Sequence, residues 1–213
     1  MMVHYLEGLV DYEQGLQIQL ERVEQVRQGG EETLLLLEHA PVFTIGRLRD
    51  QSSLRTIDAL PYPVFETNRG GQATFHGPGQ LVGYAIFDLR RRGQDLHKHL
   101  REMEDMLLLA CRSVGVAAQR REGLTGLWAG ERKLASIGVG VKRWISMHGF
   151  AINVTTASLP AFDAIVPCGL SGVRMTCLSE LLQQDIAVSD YATAVDKACH
   201  AVFGELDSAN GNF

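Results

Sequence analysis

The chain has 213 residues, 46% of them hydrophobic and 21% charged, an ordinary globular composition with length enough for one sizeable core. Twenty Lys plus Arg against 25 Asp plus Glu leave a formal charge of -5, which argues against a whole-surface affinity for nucleic acid. The longest apolar stretches, Leu34 to Leu37 and Met106 to Cys111, fall far short of the ~18 residues of a membrane span. With no basic segment leading into an apolar one at the N-terminus, the expected setting is the cytoplasm, away from membranes.

Apolar residues at steps of three and four predict a helix from Asp11 to Gln28, with Asp11 as N-cap and Gly29 as stop. Strand patterns follow at 33–38, 42–45, 64–67 and 81–89. A second helix is predicted from Asp95 to Val114 through Leu96, Leu100, Met103 and Leu107. Runs at 133–141 and 144–154, separated by Lys142 and Arg143, read as an antiparallel hairpin, and a third helix spans Asp190 to Gly204. Elements that mix without regular alternation predict an α+β fold, a mostly antiparallel mixed sheet packed by helices. One domain is expected over residues 1–206, with 207–213 a frayed tail.

Glycine is the compositional outlier, with 22 residues, several of them clustered beside polar groups, as in a site built from main chain. The densest cluster is Arg69-Gly-Gly-Gln-Ala-Thr-Phe-His76-Gly-Pro-Gly-Gln80. It fits neither a phosphate-binding Walker loop nor a dinucleotide fingerprint, whereas Arg69, Thr74, His76 and Gln80 among glycines suit a small acyl or amide group. Lys133 opens an alternating strand, where a lysine is ordinarily a solvated edge residue.

Four cysteines are too few and too irregularly spaced for a disulfide scaffold, and no CxxC pair suggests zinc. Cys168, between Pro167 and Gly169, sits outside any helical or strand period, so its thiol is not placed by core packing. Cys111, Cys177 and Cys199 read as buried small hydrophobes. A thiol near pKa 8.5 needs a neighbouring cation or base to react at neutral pH, and His76, His148 and Lys133 all qualify on residue type. Spacing does not choose among them. A metal held by Cys168, His76 and His148 lacks any short ligand spacing, and His97 and His99 at i, i+2 of a helix point apart, so no metal is expected.

The runs EHAPVFTIGR, RGGQATFHGPGQ and KLASIGVGVKRWISMHGFAINV, with PCG around Cys168, stand in that order from about Glu38 to Gly172. Together they resemble the lipoyl(octanoyl) transferase family, also called lipoate biosynthesis protein B. Ala73 and Phe75 stand where Val and Tyr are common in that family.

The resemblance implies a fold like that of biotin and lipoate ligases and a ping-pong acyl transfer that uses no cofactor. Cys168 would take an octanoyl group from octanoyl-acyl carrier protein as a thioester. The acceptor would be a lysine on an apo lipoyl domain of a 2-oxoacid dehydrogenase E2 subunit or the glycine cleavage H protein. Lys133 would lower the pKa of Cys168 and act as acid and base, with His148 as an auxiliary group. Substrate would be held by Arg69, Gly70, Gly71, Gln72, Ala73, Thr74, Phe75 and His76, by Ser136, Ile137 and Gly138, and by Gly149, Phe150 and Ala151. Arg47, Arg49, Lys142 and Arg143 are candidates for docking an acidic carrier. The alternatives are an ATP-dependent lipoate or octanoate ligase, a lipoyl amidotransferase on the same fold, and a non-catalytic lipoyl-domain or acyl-binding module.

Overall fold

The computed structural model describes residues 1–47, 54, 60–166 and 172–204. Strand β1 (Met2–Val10) leads into helix α1 (Tyr12–Arg27), followed by β2 (Thr33–His39) and β3 (Val42–Ile45). Three strands come next, β4 (Val64–Glu66), β5 (Thr74–His76) and β6 (Gln80–Ile86), then a 3-10 turn at Leu89–Arg92 and helix α2 (Leu96–Ser113). The chain continues through β7 (Leu127–Ala129), β8 (Arg132–Lys142) and β9 (Ile145–Asn153). Two short 3-10 turns, α3 (Leu178–Leu182) and α4 (Val188–Phe203) complete the described elements.

Six strands form the main sheet in the order β1-β2-β6-β9-β8-β7, and β4-β3-β5 form a small one. The main sheet is antiparallel except where β1 runs parallel to β2, so the expected α+β architecture is the one observed. Four consecutive leucines make β2 a central strand buried on both faces, as its period of two requires. Leu34 and Leu36 join the cluster under α2 and α4 with Met103, Leu107 and Tyr191. Leu35 and Leu37 face the other way and pack with Val23 and Val26 of α1.

The predicted helices appear at Tyr12–Arg27, Leu96–Ser113 and Val188–Phe203. Asp95 caps α2 by accepting the Lys98 backbone N–H, whereas Asp11 makes no side-chain cap bond. The strand predicted to run on to Leu89 stops at Ile86, because the Asp88 carboxylate accepts the Arg90 N–H and starts a 3-10 turn. The β8-β9 hairpin turns on Arg143 and Trp144, one residue beyond the predicted link. Both adopt positive φ, +52° and +65°, as a two-residue type I′ connection needs. The predicted tail at 207–213 lies outside the described residues.

Candidate active site

The loop before β5 and the two arms of the β8-β9 hairpin, distant from it in sequence, meet on the α1 face of the main sheet. Register pairs Ser136 with Ala151 and Gly138 with Gly149, so these positions point to one side. The loop before β5 crosses over them, tied down where the Gly70 N–H donates to the Val139 carbonyl at 2.8 Å. A pocket results, lined by Arg69, Gly70, Gly71, Gln72, Thr74 and His76 from the loop and strand, with 136–138 and 148–151 beneath. A side chain at Gly138 would meet the Gly70 carbonyl oxygen at 2.8 Å, so the close approach of loop to strand depends on that glycine.

Alternation along β5 sorts the remaining positions of the motif. Thr74 and His76 line the pocket, while Ala73 and Phe75 pack away from it with Phe43 and Phe162. The pocket is completed by Tyr12 of α1 and by Val82 and Tyr84 of β6. Sequence reading does not single these out, because a tyrosine on a helix period or a valine in a strand reads as core.

The pocket floor is held by a directional chain of buried hydrogen bonds. The Arg69 guanidinium donates to the Thr44 hydroxyl at 2.7 Å, and Thr44 donates to His76 Nε2 at 3.3 Å. His76 Nδ1–H donates to Gln80 Oε1 at 2.9 Å, and Gln80 Nε2 donates to Asn153 Oδ1 at 3.0 Å. Asn153 Nδ2 closes the series on the Thr176 carbonyl at 3.1 Å. Each group uses its lone pair in one direction and its proton in the other, which fixes His76 as the neutral tautomer carrying its proton on Nδ1. Burial holds its pKa well below the usual imidazole value, with His39 and Arg69 adding to the effect. With both ring nitrogens engaged, His76 is a structural member of the floor rather than a free base.

His148 lies in the same floor in a strained backbone conformation, φ +58°, which few residues other than glycine adopt inside a strand. Its backbone N–H donates to Gln19 of α1 at 2.8 Å, and its Nε2–H donates to Asn68 Oδ1 at 2.6 Å. Burial, then the Arg69 charge, lowers its pKa to about 4, so the ring is neutral at physiological pH.

Lys133 is not the solvated edge residue that its place in an alternating run suggests, since it is 2% exposed. Trp128 pairs with Lys133 but Leu127 pairs with Ala135, so Leu134 is an extra residue and the strand bulges there. Bulges re-aim neighbouring side chains, and here the Lys133 ammonium lies 5.5 Å from the centre of the Trp128 ring. The Lys133 backbone also pairs with the segment that follows residue 171: its N–H donates to the Arg174 carbonyl, and its carbonyl accepts the Thr176 N–H. The hydrogen-bond chain from Arg69 therefore ends on Thr176, whose N–H is bonded to the Lys133 carbonyl.

The neighbouring wall of Lys133 is Gly126, where a Cβ would sit 3.3 Å from Lys133 Cε. Gly126 is held by the fully buried Glu104, which accepts its N–H and pairs with Arg101 and Arg120. Cys168 lies outside the described residues, as does Arg49. Cys111, Cys177 and Cys199 are buried free thiols, as expected. Burial pushes the pKa of Cys111 up to about 11 and that of Cys199 up to about 12, leaving them inert as nucleophiles. Among the described residues no helix is long and apolar enough to cross a membrane.

Residues 11–200 match the lipoyl protein ligase A/B catalytic domain. The chain belongs to that family. It is 50% identical over 188 residues to an octanoyltransferase of Geobacter sp. (strain M21), covering 88% of this chain and 90% of that one. An octanoyltransferase of Geobacter metallireducens is 48% identical over 196 residues, 92% of this chain and 90% of the relative. The fold is also that of a putative lipoate protein ligase from T. acidophilum with bound lipoic acid, at a TM-score of 0.74 and 16% identity over 96% of this chain and 86% of that one. A biotin protein ligase from Aquifex aeolicus is a more distant neighbour, with a TM-score of 0.53 and 11% identity over 96% of this chain and 68% of that one.

Proposed function

We propose that this chain is an octanoyltransferase that attaches octanoyl groups to lysines of lipoyl domains, taking them from octanoyl-acyl carrier protein through a thioester on Cys168. The observation that carries the reading is the convergence of 69–72, Thr74 and His76 with 136–138 and 148–151 on one pocket, which adjoins a groove that Lys133 lines. An acyl chain in the pocket would present its carbonyl toward that lysine.

In this reading the Cys168 thiolate attacks the donor thioester carbonyl, and the bond to the carrier sulfur breaks. Lys133 delivers a proton to the departing carrier thiolate. The acceptor amine then attacks the octanoyl-Cys168 carbonyl, Lys133 takes up the amine proton, and Cys168 leaves as the thiolate with an amide formed. Thioester exchange is nearly balanced and thioester to amide is downhill, so the cycle closes without ATP. At about 50 Å³ the pocket is smaller than filled small-molecule sites. Entry of an eight-carbon chain therefore requires rim groups such as Ile137 and the Gly70-Gly71 loop to draw back.

The test is intact mass after mixing the protein with octanoyl-acyl carrier protein. A gain of one octanoyl group on the peptide containing Cys168, discharged by an apo lipoyl domain, is expected. Labelling retained by Cys168→Ser at another cysteine would overturn the nucleophile, and lipoyl-domain modification only with free octanoate and ATP would establish a ligase instead.

A further inference from the structure

A second cavity, of about 350 Å³, lies beside the first and shares Gly70, Gly71, Ile137 and Gly138 with it. It runs along the α2-facing side of β8, between Lys133 at one end and Val139 and Val141 at the other. Leu96 and Leu100 of α2 form its opposite wall. Leu96 and Val141 are among the exposed large apolar side chains of the molecule, and single burial in the fold does not account for them. Among the described lining residues the only formal charges are Lys133 and Arg47, both cationic in a chain whose net charge is -5.

Arg47 is anchored level with Val139: its N–H donates to the Arg69 carbonyl, and the next residue, Gly70, donates to Val139. Six residues of strand separate Lys133 from Val139, roughly 20 Å at the usual rise. This distance, together with an apolar wall and a terminal cation, matches one kind of occupant.

We propose that this groove holds the 4′-phosphopantetheine arm of the acyl donor, with its phosphate at Arg47 and its thioester at Lys133. The proposal rests on the octanoyl-transfer reading and adds how the donor is recognised. An extended arm has about thirteen bonds from sulfur to phosphorus, roughly 16 Å on the scale of extended chain, so a flexible arginine side chain closes the remaining gap. The gem-dimethyl group of the arm would lie against Leu100 and Val139, and the phosphate would meet a cation in a groove with no described carboxylate.

The experiment compares single-turnover acylation by two small donors, S-octanoyl-4′-phosphopantetheine and S-octanoyl-N-acetylcysteamine, read by intact mass. The long donor is expected to show at least a tenfold higher second-order rate constant. In Arg47→Glu that ratio should fall below about threefold, and dephosphorylated S-octanoyl-pantetheine should lose most of the same advantage with the unaltered protein. Arg47 is exposed, so the variant is expected to fold, and a thermal melt verifies this. Equal rates for the two donors, or a ratio unchanged by Arg47→Glu, would overturn the proposal. So would acylation by octanoyl-acyl carrier protein with neither small donor active. If Arg47→Glu instead raises KM for the acceptor lipoyl domain alone, the groove belongs to the acceptor lysine and the assignment to the donor arm is wrong. Failure of octanoyl-acyl carrier protein itself to add any mass would reject the octanoyl-transfer reading, a result distinct from each of these.

Discussion

The Lys133 ammonium lies 5.5 Å from the centre of the Trp128 ring, and the Arg121 guanidinium lies 4.4 Å from the same centre. Two cations share one fully buried indole, whose negative face attracts each of them. Together with the bulge at Leu134 and the Gly126 wall, this holds a buried lysine in one place. Lys133→Met is expected to lower octanoyl transfer by a factor of 10² to 10⁴, the usual worth of general acid-base catalysis. Alkylation of Cys168 by iodoacetamide at pH 7 should slow as well. Lys133→Arg keeps the charge but does not release a proton, so alkylation should partly survive while transfer is lost. Transfer by Lys133→Arg near the parent rate would reject proton shuttling.

Gly138 and Gly149 pair across β8 and β9, yet their substitution should have different consequences. A Cβ at Gly149 would stand 2.3 Å from the Gly83 carbonyl oxygen, inside the sheet, whereas one at Gly138 would meet the Gly70 carbonyl oxygen of the rim loop at 2.8 Å. Gly149→Ala overpacks a central strand and should cost about 1–3 kcal/mol, lowering Tm by several degrees. Gly138→Ala should displace the loop instead, reducing kcat/KM for octanoyl donor about tenfold with little change in Tm. Thermal melts and donor kinetics on both variants separate the two effects.

His39 is fully buried, with Nδ1–H donating to the Val10 carbonyl and Nε2 accepting from Tyr84. Burial lowers its pKa to about 4 against the opposing pull of the Val10 bond and of Asp11. Below pH 6.5 the unfolded chain binds a proton there that the folded chain refuses until about pH 4, so stability falls as pH drops through that window, by about 3 kcal/mol for this group. His148 and His76 act in the same direction. Tm should therefore decline from pH 6.5 toward 4, and His39→Gln should show a shallower slope even though its Tm at pH 7.5 is lower. An unchanged slope would mean that His39 is not one of the groups responsible.

How much of this could be read from the sequence depended on how long each pattern runs. Helices α1, α2 and α4 announce themselves over four or more turns, and β2, β8 and β9 are long apolar runs. Strand β1 does not, because Glu7 and Gly8 interrupt its pattern and its parallel pairing shifts register between Tyr5 and Leu9. Strands β5 and β7 have three residues each, too few for a period to show. That brevity hid the division of the glycine-rich motif, since Thr74 and His76 separate from Ala73 and Phe75 only once β5 is known to be a strand. Burial of Lys133 was hidden for a related reason: a bulge depends on the register of two strands, and neither strand's composition records it.

The tip of the β8-β9 hairpin offers a stabilising change away from the site. Arg143 and Trp144 both occupy left-handed backbone, a conformation that costs a residue with a Cβ about 1–2 kcal/mol and glycine nothing. Trp144 is 41% exposed, so most of its surface is covered and its removal would cost packing, whereas Arg143 is exposed and loses less. The bond from the Leu89 N–H to the Trp144 carbonyl at 2.8 Å survives a change at either position. Arg143→Gly should therefore stabilise the fold by about 1 kcal/mol after the added freedom of the unfolded glycine is counted, raising Tm by about 2–4 °C. The turn lies ten or more strand residues from Lys133, on the order of 30 Å, so kcat for octanoyl transfer should not change. A lower Tm would mean that the Arg143 side chain makes contacts worth more than the strain its backbone imposes, and Arg143→Asn would then be the variant that isolates the backbone effect.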